Sequence, residues 1–108
     1  MTLVDPRIAS YYTEYDEASR LHSTAVGRLE FERTRELLRR SLPPPPARVL
    51  DVGGGPGTHA RWLVEDGCEV LLVDPVPKHV EQAREYAPVG RGVDEHAVLV
   101  RQAVFGAA

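Results

Sequence analysis

The sequence predicts an α/β chain: an incomplete parallel sheet of about three strands, with flanking helices, preceded by N-terminal helices. Two observations predict it. From Arg48 onward, apolar runs and amphipathic stretches alternate in the order strand, helix, strand, helix, strand. Such alternation implies parallel strands joined by right-handed crossovers. Directly after the first run, in "VLDVGGGPGTH" (Val49–His59), stand Gly53, Gly54, Gly55 and Gly57. Glycine is costly in backbone entropy, and the usual return is close approach of the backbone to something.

The whole chain sets bounds. At 108 residues it holds one small domain at most. A composition of 43% hydrophobic and 27% charged residues is that of an ordinary globular chain. The net charge of −3 argues against a nucleic-acid partner, which needs a basic face. Cys68 is the single cysteine, so no internal disulfide framework exists, and a reducing cytosol fits. The start, "MTLVDPRIAS", lacks the apolar core of a signal peptide, and no run approaches a membrane span. The expectation is a cytoplasmic, soluble protein with no membrane partner. His22, His59, His79 and His96 lack metal-ligand spacing, so each reads as surface or packing and no metal is expected.

The elements follow in order. Residues 1–42 form an N-terminal helical segment, with a helix around Ile8–Tyr15 and a clearer one over Leu29–Leu42. In the second, Phe31, Leu38 and Leu42 share one stripe, and Glu36 and Arg40 pair on the outside. Arg33, Arg35, Arg39 and Arg40 interleave with Glu30, Glu32 and Glu36, which reads as a solvated face. Pro43–Pro46 end the helix and form an extended joint. Residues 47–108 then carry the α/β part. "RVLDV" (Arg48–Val52) is a short buried strand. Thr58–Asp66 is a helix with Ala60, Leu63 and Val64 inward and Gly67 as its stop. "EVLLV" (Glu69–Val73) is a strand covered on both faces. Val80–Ala87 is a helix that buries Val80, Ala83 and Ala87 and stops at Pro88. "VGRGVDEH" reads as a loop and Ala97–Phe105 as the third strand. Trp62 and Cys68 read as packing residues.

In such a sheet, ligands bind beyond the carboxyl ends of the strands. The Gly53–Gly57 turn lies there and opens a helix, whose N-terminus adds partial positive charge. The dinucleotide fingerprint G-x-G-x-x-G/A fails at Thr58, which weakens a nicotinamide-cofactor reading. A phosphate P-loop fails as well, because no Lys-Ser/Thr follows the glycines. The spacing present is Asp51-x-Gly53-x-Gly55-x-Gly57.

That pattern resembles the first motif of class I S-adenosylmethionine-dependent methyltransferases, whose fold is a Rossmann-like sheet. Asp74, at the end of "LLVDPV", agrees with the family's second motif. The resemblance implies S-adenosylmethionine as cofactor and methyl transfer to a small-molecule acceptor as activity. It also implies roles. Gly53, Gly54 and Gly55 line the methionine part, and Asp51 holds its amino group directly or through water. Gly57 allows the turn into the helix. Asp74 accepts from the two ribose hydroxyls, for which a carboxylate has two suited oxygens. Pro75 and Val76 border the adenine. Gly27–Leu38 is similar to the N-terminal helix of small bacterial methyltransferases, which makes Arg28 a candidate partner for the cofactor carboxylate. Tyr11 or Tyr12 is a candidate cover for the site. The residues name no catalytic group.

The resemblance covers residues 27–87 well and 97–108 poorly. Ala107 stands where the family often has an aspartate that meets the adenine amino group. The chain supplies only the family's opening strands, and the first of these would be central in a complete sheet. Its outer edge would then be a row of unpaired backbone groups. The expectation is a truncated form of a longer protein, or a chain whose homodimer covers that edge. The alternative function is a non-catalytic module that binds S-adenosylmethionine, S-adenosylhomocysteine or a partner chain.

Overall fold

The computed structural model describes residues 24–105. The expectations placed on Ile8–Tyr15, Tyr11, Tyr12, His22 and Ala107 lie outside these residues. The element order is α1 (Ala25–Ser41), β1 (Arg48–Val52), α2 (Thr58–Glu65), β2 (Glu69–Val73), α3 (Pro77–Glu85), β3 (Val89–Asp94) and β4 (Ala97–Arg101). One four-stranded sheet runs in the order β1-β2-β4-β3.

Local chemistry sets the helix ends. Thr24 caps α1, its hydroxyl accepting from the Gly27 N–H at 2.8 Å. Arg39 and Arg40 occupy the last turn, where cations suit the helix dipole. Leu42 is already extended, as a residue before proline should be. At Gly67 the chain takes φ +103°, a left-handed stop after α2. Pro77 opens α3, where a missing N–H costs nothing.

α1 docks on α2 through mixed contacts. Phe31 stacks on His59 at 5.0 Å between centroids. The Arg39 guanidinium lies 5.0 Å from the Trp62 ring centre. It also grips Asp66 with two hydrogen bonds of 3.0 Å. Phe31 and Leu38 of α1, with Leu42 just past its end, pack partly buried against the core, which is the expected stripe.

The core lies between the sheet and the helices. Val70, Leu72, Val98 and Val100 point into it from the strands, against Ala60, Leu63, Val64, Val80 and Ala83. The opposite face is different. Leu50 is 62% exposed and Val52 74%. They align across the sheet with the half-buried Leu71 and Val73.

The sheet departs from the expected architecture. It has four strands rather than three, and it is mixed rather than parallel. β1 and β2 pair in parallel, as expected. "VGRGVD" is a strand, not a loop. β4 pairs antiparallel to both β2 and β3, so β3 points the same way as β2. The crossover through α3 therefore leads to β3 at the far edge, and β4 returns into the gap between them. β4, which answers to the strand expected over Ala97–Phe105, ends at Arg101. The physical reason is the Glu95–His96 turn. Two residues between paired strands permit only a hairpin, whereas a parallel neighbour needs a long crossover. Asp94 fixes the turn by accepting from the His96 N–H at 2.7 Å.

This arrangement predicts strong Hα–Hα NMR cross peaks between alternate partners of Val70–Val73 and Ala97–Val100. A parallel third strand would give none of them. Leu72→Ala should cost about 3 kcal/mol in chemical denaturation. Leu50→Ala on the open face should cost less than about 0.5 kcal/mol.

Candidate functional site

The carboxyl ends of β1 and β2, the start of α2 and the start of α3 meet at one edge of the sheet. The glycine turn is tied to the end of β2. Gly53 and Gly54 both donate to the Val73 carbonyl, at 2.8 and 3.3 Å. Gly53 and Gly55 take φ +72° and +60°, where a side chain strains the backbone. Gly54 is glycine for a different reason. A Cβ there would stand 2.6 Å from Asp51 Oδ2 and 2.8 Å from Leu72 Cδ1. The turn thus lies directly on the Asp51 side chain.

Asp51 is the tense member of the site. Its Oδ2 is buried with no hydrogen-bond partner among the described residues. Burial, and then the nearby Asp74 charge, push its carboxyl above the usual carboxylate range. Tyr86 lies under the same turn. A Cβ at Gly57 would come within 2.7 Å of the Tyr86 ring. The Tyr86 hydroxyl is also buried without a partner among the described residues. Burial and the Asp51 charge raise its pKa.

Asp74 is buried and well satisfied. Its Oδ2 accepts from the Gly55 N–H at 2.8 Å, and its Oδ1 from the Val76 N–H at 2.9 Å. The His79 Nδ1 lies 3.3 Å from Oδ1. A carboxylate has about four acceptor positions, so one remains, on Oδ2. To receive both hydroxyls of a diol, one of the three present donors must yield. The Asp74 N–H in turn donates to the His96 carbonyl at 2.9 Å, which brings the hairpin tip to the same edge.

The structure therefore brings together Asp51, Gly53, Gly54, Gly55, Gly57 and Asp74. Val76 is buried beside them and Pro75 is half-buried. Arg28 stands exposed on the first turn of α1. No hydrogen bond or ion pair among the described residues joins it to the turn. The sequence reading missed Tyr86 and the part played by His79. A cleft of about 520 Å³ opens on the helix side of the turn, lined by Phe31, Arg35, Gly57, Arg61, Trp62 and Tyr86 among others. Neither Asp51 nor Asp74 lines it. Among the described residues, no group of three His, Cys, Asp or Glu side chains is placed to hold a metal. No described helix is long and apolar enough to cross a membrane.

A family model described as "Methyltransferase domain" matches residues 26–106. The chain belongs to this methyltransferase family. An uncharacterized methyltransferase of Mycobacterium bovis is 43% identical over 47 residues, which is 44% of this chain and 19% of that relative. Uncharacterized methyltransferases of two Mycobacterium tuberculosis strains match over the same extent, with the same identity. The match spans less than a fifth of each relative's length. No solved structure shows significant similarity to the chain. The methyltransferase assignment thus agrees with the motif reading, and it comes independently of the site's geometry.

Asp51 makes this candidate site testable. Its native state keeps the proton to a higher pH than the unfolded chain does. Ionising Asp51 therefore costs stability as pH rises through its native value. Asp51→Asn should raise Tm at pH 7, and the gain should vanish below about pH 4, where both states are protonated. Calorimetric melting across that range checks it, and a lower Tm at pH 7 contradicts it.

Proposed function

We propose that the chain is the cofactor-binding part of an S-adenosylmethionine-dependent methyltransferase acting on a small-molecule acceptor. The observation that carries this reading is the unpartnered Oδ2 of Asp51 beneath Gly54, beside the buried Asp74. Two neighbouring carboxylates at a ligand edge suit a cation and repel a pyrophosphate. S-adenosylmethionine carries a sulfonium and an ammonium, which matches that charge. The failure of the dinucleotide fingerprint at Thr58 points the same way.

The residues fit the cofactor. Asp51 would take the amino group, relieving its own buried charge. Gly53, Gly54 and Gly55 let the backbone come close, since side chains there would strain or fill the turn. Asp74 would accept a ribose hydroxyl on its free Oδ2 position, and Pro75 and Val76 would border the adenine. Arg28, Tyr11 and Tyr12 remain the candidates for the carboxylate and the cover. When bound, the cofactor supplies a methyl group already activated on sulfur. The protein's task is then to align the donor with a nucleophile and to exclude water. The net charge of −3 and the single thiol, Cys68, support a small acceptor in the cytoplasm rather than nucleic acid. The open outer edge of β1 supports a second copy or a longer sheet as its neighbour.

Calorimetric titration with S-adenosylhomocysteine tests the proposal. Saturable binding is expected, lost on Asp74→Ala and on Gly55→Val in variants that still melt cooperatively. Binding without turnover on a broad acceptor panel would favour a non-catalytic binding module. No binding by the folded chain would remove the cofactor reading.

A further inference from the structure

Asp74 and His79 form a pair that the cofactor roles leave unexplained. Both side chains are almost wholly buried, at 7% and 6% exposure. A carboxylate so far from water needs donors on its lone pairs. Two of its three donors are backbone N–H groups, fixed by the chain path. The third, His79, comes from the first turn of α3. A carboxylate oxygen accepts, so this contact is a hydrogen bond in the tautomer that carries its proton on His79 Nδ1.

The distribution of these donors matters. Val76 and His79 both engage Oδ1, while Gly55 alone engages Oδ2. The acceptor position left for a ligand is therefore on Oδ2. Without His79, one lone pair of Oδ1 is freed inside the protein, and rotation about the Cβ–Cγ bond is less restricted. The plane of the carboxylate could then tilt about its remaining bonds to Gly55 and Val76, and the lone pair facing the ligand would tilt with it.

We propose that His79 is a positioning residue for Asp74: it holds Oδ1 so that Oδ2 faces a ribose hydroxyl of the bound nucleoside. The inference rests on the cofactor reading above and assigns a determinant of nucleoside recognition within it. It makes His79 selective for the sugar hydroxyls, not for the rest of the ligand. A residue that only fills the core would weaken all ligands alike.

The test uses two ligands, S-adenosylhomocysteine and an analogue that lacks both ribose hydroxyls. The wild-type chain should prefer the first. His79→Leu should reduce that preference about tenfold, the scale of one hydrogen bond to a charged group. His79→Asn, whose amide nitrogen reaches the Nδ1 position, should keep most of it. ¹⁵N NMR of the wild-type chain should show the His79 proton on Nδ1. A preference unchanged in His79→Leu, equal losses for both ligands, or a proton on Nε2 alone would each overturn the role of His79. If the wild-type chain binds neither ligand, the cofactor reading itself falls, and His79 loses its role with it.

Discussion

The Asp74 carboxylate is the knot of this structure. It stands at the end of β2, accepts from the glycine turn at Gly55, and accepts from the start of α3 at Val76. His79 adds a side-chain donor. Three segments distant in sequence or in direction are thus held by one buried group. The low-dielectric surroundings strengthen each bond, and they also make an incomplete set expensive. The position of the turn and the entry of α3 are both tied to it. The hairpin tip joins the same knot through the Asp74 N–H and the His96 carbonyl.

Asp51 is the counterpart, a group with an oxygen that no described residue satisfies. Its orphan oxygen beneath Gly54 and the orphan hydroxyl of Tyr86 beneath Gly57 lie on one side of the same turn. A fold selected only for stability would fill or pair them. Local conflict of this kind belongs to sites where a ligand completes the arrangement. The two acids therefore divide the work. Asp74 is prearranged by the protein, and under the proposed function Asp51 is the group that the cofactor would complete.

Much of this was legible in the sequence. β1, β2 and α2 were readable because apolar period and glycine punctuation agree there. Asp51, the glycines and Asp74 were readable as a spacing. The hairpin was not. Gly90 and Gly92 lower the strand signal of "VGRGVD", and glycine at 90 serves a tertiary contact instead. A Cβ there would stand 2.3 Å from the Arg84 carbonyl, so α3 can lie on β3 only if that side chain is absent. No local pattern announces such a contact. His79 was hidden for a similar reason. A histidine in a first helical turn looks like any polar residue until the strand end places a carboxylate against it.

The open face of β1 has a consequence for behaviour in solution. Leu50 and Val52 stand exposed on a strand whose outer backbone groups meet no other described strand. Such a strand is a template for any extended chain with alternating apolar residues. Left uncovered, an edge of this kind favours self-association from the native fold rather than from unfolded chains. The glycine turn leaves the inner end of that strand. Anything that pairs with β1 therefore settles beside the glycine turn, so colloidal stability and access to that turn are governed at one place.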